Sequence, residues 1–544
     1  MPTLHWIGKE KVINHHRDVP YKVMEHQYRF EAVTANEGKQ SGEIASQARD
    51  DGNDHSGNKI IHGDNLEALK SLLPEYEGKI KCIYIDPPYN TGNEGWVYND
   101  NVNDPKMKKW LGEVVGKESE DLSRHDKWLC MMYPRLKLLH KLLAQDGAIF
   151  ISLDDNASFF CVPMMNEIFG SNNFVTSVIW EKADSPRNSA RQFSTDHDFI
   201  LVYSKSPEWI PNKLPRTDKS NSIYTNPDND RRGLWIPGDP YANKPYSKGE
   251  YEITGPTGRR FSPPKGRYWR VSEKKLKELD KDGRVWWGPT NNARPSIKRY
   301  LNEVSDLVPR TLWKKDEVGS NRTSKNEIRS IFPESSSFDT PKPIELIERV
   351  LQIASDKNAI ILDSFAGSGT TAHAVLNLNK QDGGHRKFIL VEMEDYAETI
   401  TAERVRRVMN GYGEGTKAVE GTGGSFDYYT LGQPIFLEDG LLNEAIGVDK
   451  IREYVWYSET KSPLLGAARE GEDEAYFLGS AHDTAYYFYY EPDQITVLDT
   501  DFLRTLQTKA DQYIIYADKC LLDESLMQKY HIVFKKIPRD ITRF

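Results

Sequence analysis

The sequence contains only four cysteines among 544 residues, and their wide spacing forms neither a CxxC pair nor a disulfide framework. We therefore predict no structural zinc site and no metal cofactor. Long apolar runs are also missing, because no stretch approaches the ~18 residues that a membrane-spanning helix requires. The first eleven residues lack the apolar core of a signal peptide. We expect a cytoplasmic protein without a membrane segment.

The net charge of −9 is spread unevenly along the chain. Residues 181–330 hold 30 Lys and Arg against 20 Asp and Glu, whereas residues 411–544 hold 13 against 23. Tryptophans are interleaved with the arginines of the basic block. This combination is typical of a surface that contacts phosphates and bases. An ordinary solvated basic surface is the alternative.

Hydrophobic periodicity divides the chain into six segments. Short apolar strands alternate with amphipathic helices in residues 58–205 and again in 339–410, which predicts parallel strands in an α/β sheet. Residues 206–338 lack this alternation of strands and helices and are rich in Pro, Gly and Asn. This pattern indicates that a basic insertion splits the α/β domain. The remaining segments are an N-terminal arm and linker (1–57), a glycine-rich linker (411–424) and an acidic, tyrosine-rich α+β module (425–544).

A glycine-rich turn follows the apolar strand that ends at Asp363. It reads Asp363-Ser364-Phe365-Ala366-Gly367-Ser368-Gly369-Thr370. A strand that runs into glycines and a helix N-terminus lets the backbone approach an anionic ligand, although a plain tight turn is the alternative. The next strand ends in Glu392, which is placed to accept hydrogen bonds from ribose hydroxyls. Together these features predict a nucleoside-containing cofactor.

A second motif, Asp86-Pro87-Pro88-Tyr89, follows another buried strand. Its two prolines lock φ and remove two N–H donors, so carbonyl groups are held in a rigid turn between a carboxylate and a ring. Acceptors beside an aromatic face suit the exocyclic amine of a planar base that is held by stacking. A purely structural Pro-Pro turn is the alternative, but it would need neither Asp86 nor Tyr89.

The two motifs together resemble the amino-group DNA methyltransferases that use S-adenosylmethionine. The DPPY block precedes the glycine loop and the basic segment lies between them, an order similar to that of the β class and of type III modification subunits. His62–Leu66, Asp339–Pro343 and His197–Tyr203 resemble the same group. The resemblance implies a Rossmann-like methyltransferase sheet in permuted order, interrupted by a target-recognition domain at residues 206–338.

The resemblance also implies roles for individual residues. Asp86, Pro87, Pro88 and Tyr89 would form the catalytic site. The S-adenosylmethionine site would comprise Asp363, Phe365, Gly367 and Gly369 around the methionine part, Thr370 and Lys342 near its carboxylate, Glu392 at the ribose and Asp64 at the adenine amine.

The implied reaction is direct methyl transfer to N6 of a flipped-out adenine in double-stranded DNA, without a covalent enzyme intermediate. The Asp at the first DPPY position favours adenine. Methylation of cytosine N4 is one alternative, and a catalytically idle DNA-recognition subunit is another.

Two further expectations concern partners. Within the basic insertion, we predict phosphate contacts by Arg259, Arg260, Arg267 and Arg270. The type III resemblance implies a homodimer and a restriction subunit with nuclease or helicase activity, with the C-terminal module as the interaction surface. In that module, the aromatic run 485–490 predicts either a buried central strand or part of an interface.

Overall fold

A computed structural model describes residues 3–32, 56–89, 113, 124–334, 338, 340–464 and 476–544. The chain forms two compact units. Unit 1 comprises Met1–Pro211 and Arg310–Phe544, and unit 2 comprises Asn212–Pro309. Most of the polar run 36–58, which the sequence assigns to a linker, lies outside the described residues.

Unit 1 is built on a ten-stranded sheet with the order β1-β10-β2-β9-β8-β3-β4-β6-β5-β7. The strands are β1 Lys22–Glu31, β2 Lys59–His62, β3 Ile80–Ile85, β4 Leu143–Leu153, β5 Phe174–Glu181, β6 His197–Ser204, β7 Leu312–Trp313, β8 Ile360–Asp363, β9 Lys387–Glu392 and β10 Ser425–Pro434. The six strands from β10 to β4 in this order are parallel, whereas β6 runs antiparallel to both of its neighbours.

Two groups of helices flank the sheet. They are α1 Asn65–Tyr76, α2 Arg124–Leu142 and α3 Asp155–Phe169, followed by α4 Ile344–Ala354, α5 Thr370–Asp382 and α6 Glu403–Asn410. Within each group, consecutive helices pack against each other. The central strands β3 and β4 are buried on both faces, as their nearly continuous apolar sequences predict. The α/β fold expected from the sequence is confirmed.

The connectivity matches the permuted order. Strand β3, which carries the DPPY turn, precedes β8, which carries the glycine loop, and the two strands are direct neighbours in the sheet. Unit 2 lies between β6 and β7 in the chain. This separate compact unit begins and ends inside the 206–338 range. The described residues beyond Pro309 belong to unit 1, because β7 pairs with β5.

Two segments that the sequence assigns outside the α/β domain extend its sheet. Strand β1 comes from the N-terminal arm, and β10 comes from the start of the C-terminal module. Aromatic contacts stabilise their pairing, since the rings of Tyr28 and Tyr428 stack with centroids 5.0 Å apart. Buried Asp427 accepts hydrogen bonds from the backbone N–H and the hydroxyl of Ser56, each at 2.9 Å. Periodicity does not reveal such pairing, because the partners lie about 400 residues apart along the chain.

Unit 2 is built from short pieces around a small aromatic core. Trp269 and Leu276 are fully buried in this core, with Phe261 and Trp287 beside them. Its strands and helices are Asp218–Asn221, Trp235–Gly238, Tyr241–Ala242, Ile253–Thr254, Arg260–Phe261, Tyr268–Trp269, Glu273–Lys281, Val285–Trp286 and Ser296–Tyr300. Most of these strands have two residues, so loops form much of the surface of the unit.

The C-terminal part of unit 1 forms a second sheet. Its strands, in spatial order, are β11 Phe477–Ala481, β12 Thr484–Phe488, β13 Gln512–Ala517 and β14 Ile532–Lys536, preceded in the chain by α7 Val448–Thr460. Strand β12 is buried along its whole length and lies between β11 and β13. Of the two alternatives for the aromatic run, the structure therefore favours the central strand.

The remaining short elements of unit 1 connect these layers. The helices are Lys9–Val12, His15–Asp18, Lys315–Val318, Asn321–Ile331, Thr500–Thr505 and Glu524–Lys529, and two-residue strands pair Gly411–Tyr412 with Val419–Glu420 and Val497–Leu498 with Lys519–Cys520. Across the described ranges, no helix has both the length and the apolar character needed to cross a bilayer.

Candidate active site

Four neighbouring parallel strands end at the same edge of the large sheet. Glu392 and Asp363 are the last residues of β9 and β8, Asp86 follows β3 directly, and Asp64 lies two residues after the end of β2. Ligands of open α/β sheets bind at the carboxyl ends of the strands. The structure therefore brings the predicted cofactor residues and the DPPY turn together at one edge.

The glycine loop after β8 is held by the carboxylate of Asp363. This buried group accepts hydrogen bonds from the Phe365 backbone N–H at 3.0 Å and from the Thr371 hydroxyl at 2.5 Å. Burial, with a smaller contribution from the nearby Asp86 carboxylate, raises the pKa of Asp363 to about 7. Gly369 has a φ of 80°, and a Cβ there would lie 3.1 Å from the Thr401 carbonyl oxygen. The backbone approach at this turn thus requires glycine.

Glu392 is also buried and binds the loop from the neighbouring strand. One of its carboxylate oxygens accepts from the Gly367 N–H at 2.7 Å, and the other accepts from the N–H groups of Met393 at 2.9 Å and Glu394 at 3.0 Å. Burial raises the pKa of Glu392 to about 7. A carboxylate offers about four lone-pair positions. Three are used here, so acceptor capacity remains for a ligand hydroxyl.

Asp64 and its neighbour Asn65 connect the glycine loop to helix α2. One Asp64 oxygen caps α1 by accepting from the Leu66 N–H at 2.8 Å. Asn65 donates to the Ser364 carbonyl at 2.9 Å and accepts at 2.5 Å from the guanidinium of Arg135, which is fully buried in α2. Arg135 also lies 3.4 Å from the other Asp64 oxygen. Sequence reasoning missed Arg135, because an arginine in an amphipathic helix gives no local sign of such a role.

A second buried arginine lies against the loop. Arg404 in α6 donates to the hydroxyls of Ser368 at 2.8 Å and Thr370 at 2.7 Å. The predicted carboxylate-binding residue Thr370 thus has a permanent cation beside it. Sequence reasoning missed Arg404 for the same reason as Arg135.

The DPPY turn is fixed by two contacts from outside the motif. The indole N–H of Trp128 donates to the Pro88 carbonyl at 2.7 Å. The ammonium group of Lys342 forms an ion pair with Asp86 and lies 5.1 Å from the centroid of the Tyr89 ring. Lys342 was assigned from the sequence to the cofactor carboxylate, whereas the structure places it against the residues predicted to hold the target base.

A third acidic group lies next to this pair. Asp198, at the start of β6, is only 3% exposed and forms a 2.5 Å ion pair with Lys182. Its neighbour Phe199 pairs with Leu153, the last residue of β4, so Asp198 lies at the same edge of the sheet as Asp86. Burial raises the pKa of Asp198 to about 6, against the opposing effects of Lys182 and Lys342. An acid within an otherwise apolar strand was the signal that sequence reasoning did not use.

The residues at this edge fit S-adenosylmethionine. The Ser364 hydroxyl is buried and has no hydrogen-bonding partner among the described residues, so a polar ligand would satisfy it. Glu392 retains acceptor capacity for a ribose hydroxyl. Among the described residues, no group of three or more His, Cys, Asp or Glu side chains is arranged to hold a metal ion.

The four predicted DNA-contacting arginines all lie in unit 2. Arg260 pairs with Glu252 at 3.2 Å and Arg267 with Asp239 at 2.6 Å, both near the surface. The Arg259 guanidinium donates to the Asn292 carbonyl at 3.2 Å, and Arg270 donates to the Tyr241 carbonyl at 2.9 Å. Each arginine is thus already oriented by an acceptor within the unit.

Comparison with known proteins identifies the family. A family model described as DNA methylase matches residues 80–404, which include the DPPY turn, unit 2 and the glycine loop. The chain belongs to this DNA methylase family.

Curated relatives of this methylase include modification enzymes. The type III restriction-modification enzyme StyLTI Mod subunit of Salmonella typhimurium is 37% identical over 355 residues, which cover 63% of this chain and 53% of the relative. The EcoP15I Mod subunit of Escherichia coli is 30% identical, and the match covers 63% of this chain and 59% of the relative. The type II methyltransferase M.KpnI of Klebsiella pneumoniae is 32% identical, and the match covers 62% of this chain and 81% of the relative. The methylase therefore spans between half and three fifths of these two Mod subunits.

Proposed function

We propose that this methylase transfers a methyl group from S-adenosylmethionine to N6 of an adenine in double-stranded DNA, as part of a restriction-modification system. The observation that carries the proposal is the direct adjacency of β3 and β8. It puts the Asp86-Pro87-Pro88-Tyr89 turn beside the glycine loop at one edge of the sheet. A site for a planar base with an exocyclic amine and a site for a nucleoside cofactor thus adjoin each other.

On the target side, the residues orient the amine. The Asp86 carboxylate and the Pro87 carbonyl accept its hydrogens and favour a tetrahedral nitrogen whose lone pair points toward the cofactor. Trp128 already occupies the Pro88 carbonyl, which leaves that of Pro87 for the base. Tyr89 stacks on the flipped-out ring. Lys342 keeps the Asp86 side chain in position through their ion pair.

On the cofactor side, the buried groups shape the binding loop. Bound S-adenosylmethionine supplies an electrophilic methyl group. Glu392 accepts from the ribose, the backbone of Gly367 and Gly369 lies along the methionine part, and the Arg404 cation beside Thr370 attracts its carboxylate. Asp64 and Arg135 hold the end of β2 next to the adenine of the cofactor.

The remaining parts of the chain serve DNA and partners. Unit 2 reads the target sequence. Because the substrate is DNA, the activity is located in the cytoplasm. The acidic C-terminal part is unsuited to lie along DNA and offers a surface for a second copy of the chain and for a restriction subunit. The chain end packs into the core of unit 1, because the ring of Phe544 stacks on Tyr454 at 4.7 Å. Light scattering of the full-length protein therefore tests the dimer better than a truncation, and a monomer at micromolar concentration would contradict it.

The decisive experiment reads the methylated base directly. Genomic DNA from cells with and without this gene is sequenced with modification detection, and purified protein is incubated with that DNA and labelled S-adenosylmethionine. We expect N6-methyladenine at one sequence motif, and only in DNA that has been exposed to the protein. N4-methylcytosine would replace the adenine assignment, and unmodified DNA that is still bound sequence-specifically would point to an idle recognition subunit.

A further inference from the structure

An exposed loop connects β5 to β6 beside the DPPY turn. Near its end, Phe193 is 93% exposed, the largest exposed fraction of any large hydrophobic side chain among the described residues. Scattered surface hydrophobics are common, but a phenyl ring that is almost fully exposed gains free energy when a partner covers it.

The base of the loop is well ordered by hydrogen bonds. The Ser194 hydroxyl accepts from the Arg187 N–H at 2.8 Å and donates to Asp196 at 2.5 Å. The Lys182 N–H donates to the Asp196 carbonyl at 2.9 Å. These bonds close the base of the loop, so residues 188–193 extend from a fixed base.

The base of the loop lies next to the DPPY side of the site. Lys182 and Asp198, on either side of the loop, form the 2.5 Å ion pair, and Asp198 interacts electrostatically with Asp86 and Lys342. The loop also carries two exposed cations, Arg187 and Arg191. An exposed ring with cations beside it, next to a base-binding turn, has the composition of a segment that enters a nucleic acid duplex.

We infer that residues 187–193 enter the DNA at the target base, where Phe193 fills the place of the flipped-out adenine and Arg187 and Arg191 contact flanking phosphates. Flipping leaves a gap in the stack, and an apolar side chain placed there lowers the cost of keeping the base out. This inference rests on the proposed function. It adds which segment of the chain holds the duplex open.

The test compares two duplexes that contain the methylated motif. In one the target adenine is paired, and in the other it faces an abasic site, so that flipping costs less. Full-length Phe193→Ala is expected to slow single-turnover methylation of the paired duplex about tenfold or more and that of the abasic duplex less than about twofold. Phe193→Leu should keep most of the rate. Leu521→Ala, which removes a 74% exposed side chain in the C-terminal part, is the matched control and should behave as wild type on both duplexes.

Arg187→Gln and Arg191→Gln separate phosphate binding from flipping. Both should weaken binding of the two duplexes equally and reduce its salt dependence. The inference is overturned if Phe193→Ala matches wild type on both duplexes, or if it slows both equally. A wild-type protein that methylates neither duplex would overturn the proposed function itself, whereas an active wild type with an insensitive Phe193 overturns this inference alone.

Discussion

The carboxyl edge of the large sheet and the surface of unit 2 use charge in opposite ways. At the edge, Asp363, Glu392 and Asp198 are buried, and burial raises the pKa of each carboxyl group. On unit 2, pairs such as Arg260 with Glu252 lie in solvent. Buried charges that are held by hydrogen bonds bind a small ligand in one geometry, whereas exposed charges bind weakly and respond to salt.

The difference indicates a division of labour. Unit 2 holds 20 Lys and Arg against 12 Asp and Glu, so cations remain after its ion pairs are formed. Surplus exposed cations on short strands and loops suit a long polyanion that is read at several points. The proposed function instead assigns the preorganised acceptors at the sheet edge to one amine and one cofactor. Substitutions in the two regions should therefore affect different measurements.

The largest effect is expected at the DPPY turn. Asp86→Ala removes the carboxylate proposed to orient the amine, and methyl transfer should fall by about 1,000-fold or more. Cofactor affinity, measured by calorimetry, should change little, because the groups proposed to bind the cofactor lie outside the DPPY turn. Asp493→Ala, which removes an exposed carboxylate, is the control. Wild-type turnover by Asp86→Ala would contradict the assignment.

Neutralising unit 2 should affect DNA binding and leave the cofactor unaffected. When Arg259, Arg260, Arg267 and Arg270 are all replaced by Gln, the slope of log K against log salt should become shallower by up to about 3.6, since each phosphate contact contributes about 0.9. Filter binding over a range of salt concentrations measures this slope. If this variant lost S-adenosylmethionine and kept DNA, the proposed division of labour would fail.

The buried carboxyl of Asp363 should make stability depend on pH. Its pKa of about 7 in the folded protein lies above that of an unfolded aspartate, so the folded state retains a proton that the unfolded state has lost. The group is most favourable to folding below about pH 4, and its contribution should decrease by about 1.4 kcal/mol per pH unit up to about pH 7. Urea unfolding of the cofactor-free protein should show this trend, and Asp363→Asn should remove that part of it. A variant whose free energy of unfolding keeps the full pH dependence would show that other groups cause it.

The smallest effect is expected for an exposed pair on unit 2. Glu252→Gln breaks its ion pair with Arg260, and the free energy of unfolding should change by less than about 1 kcal/mol, because solvent screens both charges. The freed arginine should bind DNA slightly more tightly at low salt. A loss of several kcal/mol in urea unfolding would mean that this surface is more tightly built than its exposure indicates.

Sequence patterns predicted the α/β sheet, the order of its two motifs and the presence of a basic insertion. These properties are local, because each strand, turn and glycine loop is encoded by a few consecutive residues. The same reasoning placed β1 and β10 outside the sheet, since pairing between segments about 400 residues apart leaves no periodic signal. It also assigned Lys342 to the cofactor carboxylate rather than to Asp86, because an isolated lysine at a helix start has no pattern of its own.

The sequence by itself determined the chemistry that this protein carries: an acid and a ring on a rigid proline turn, a glycine loop after a strand, and an acid at the end of the next strand. Only the tertiary structure decided what surrounds these groups. It brought Lys342 to Asp86 across 256 residues, placed Arg404 against the glycine loop and linked Arg135 to that loop through Asn65. The physical reason is that a buried charge needs a partner close by in space, and packing of distant segments supplies that partner.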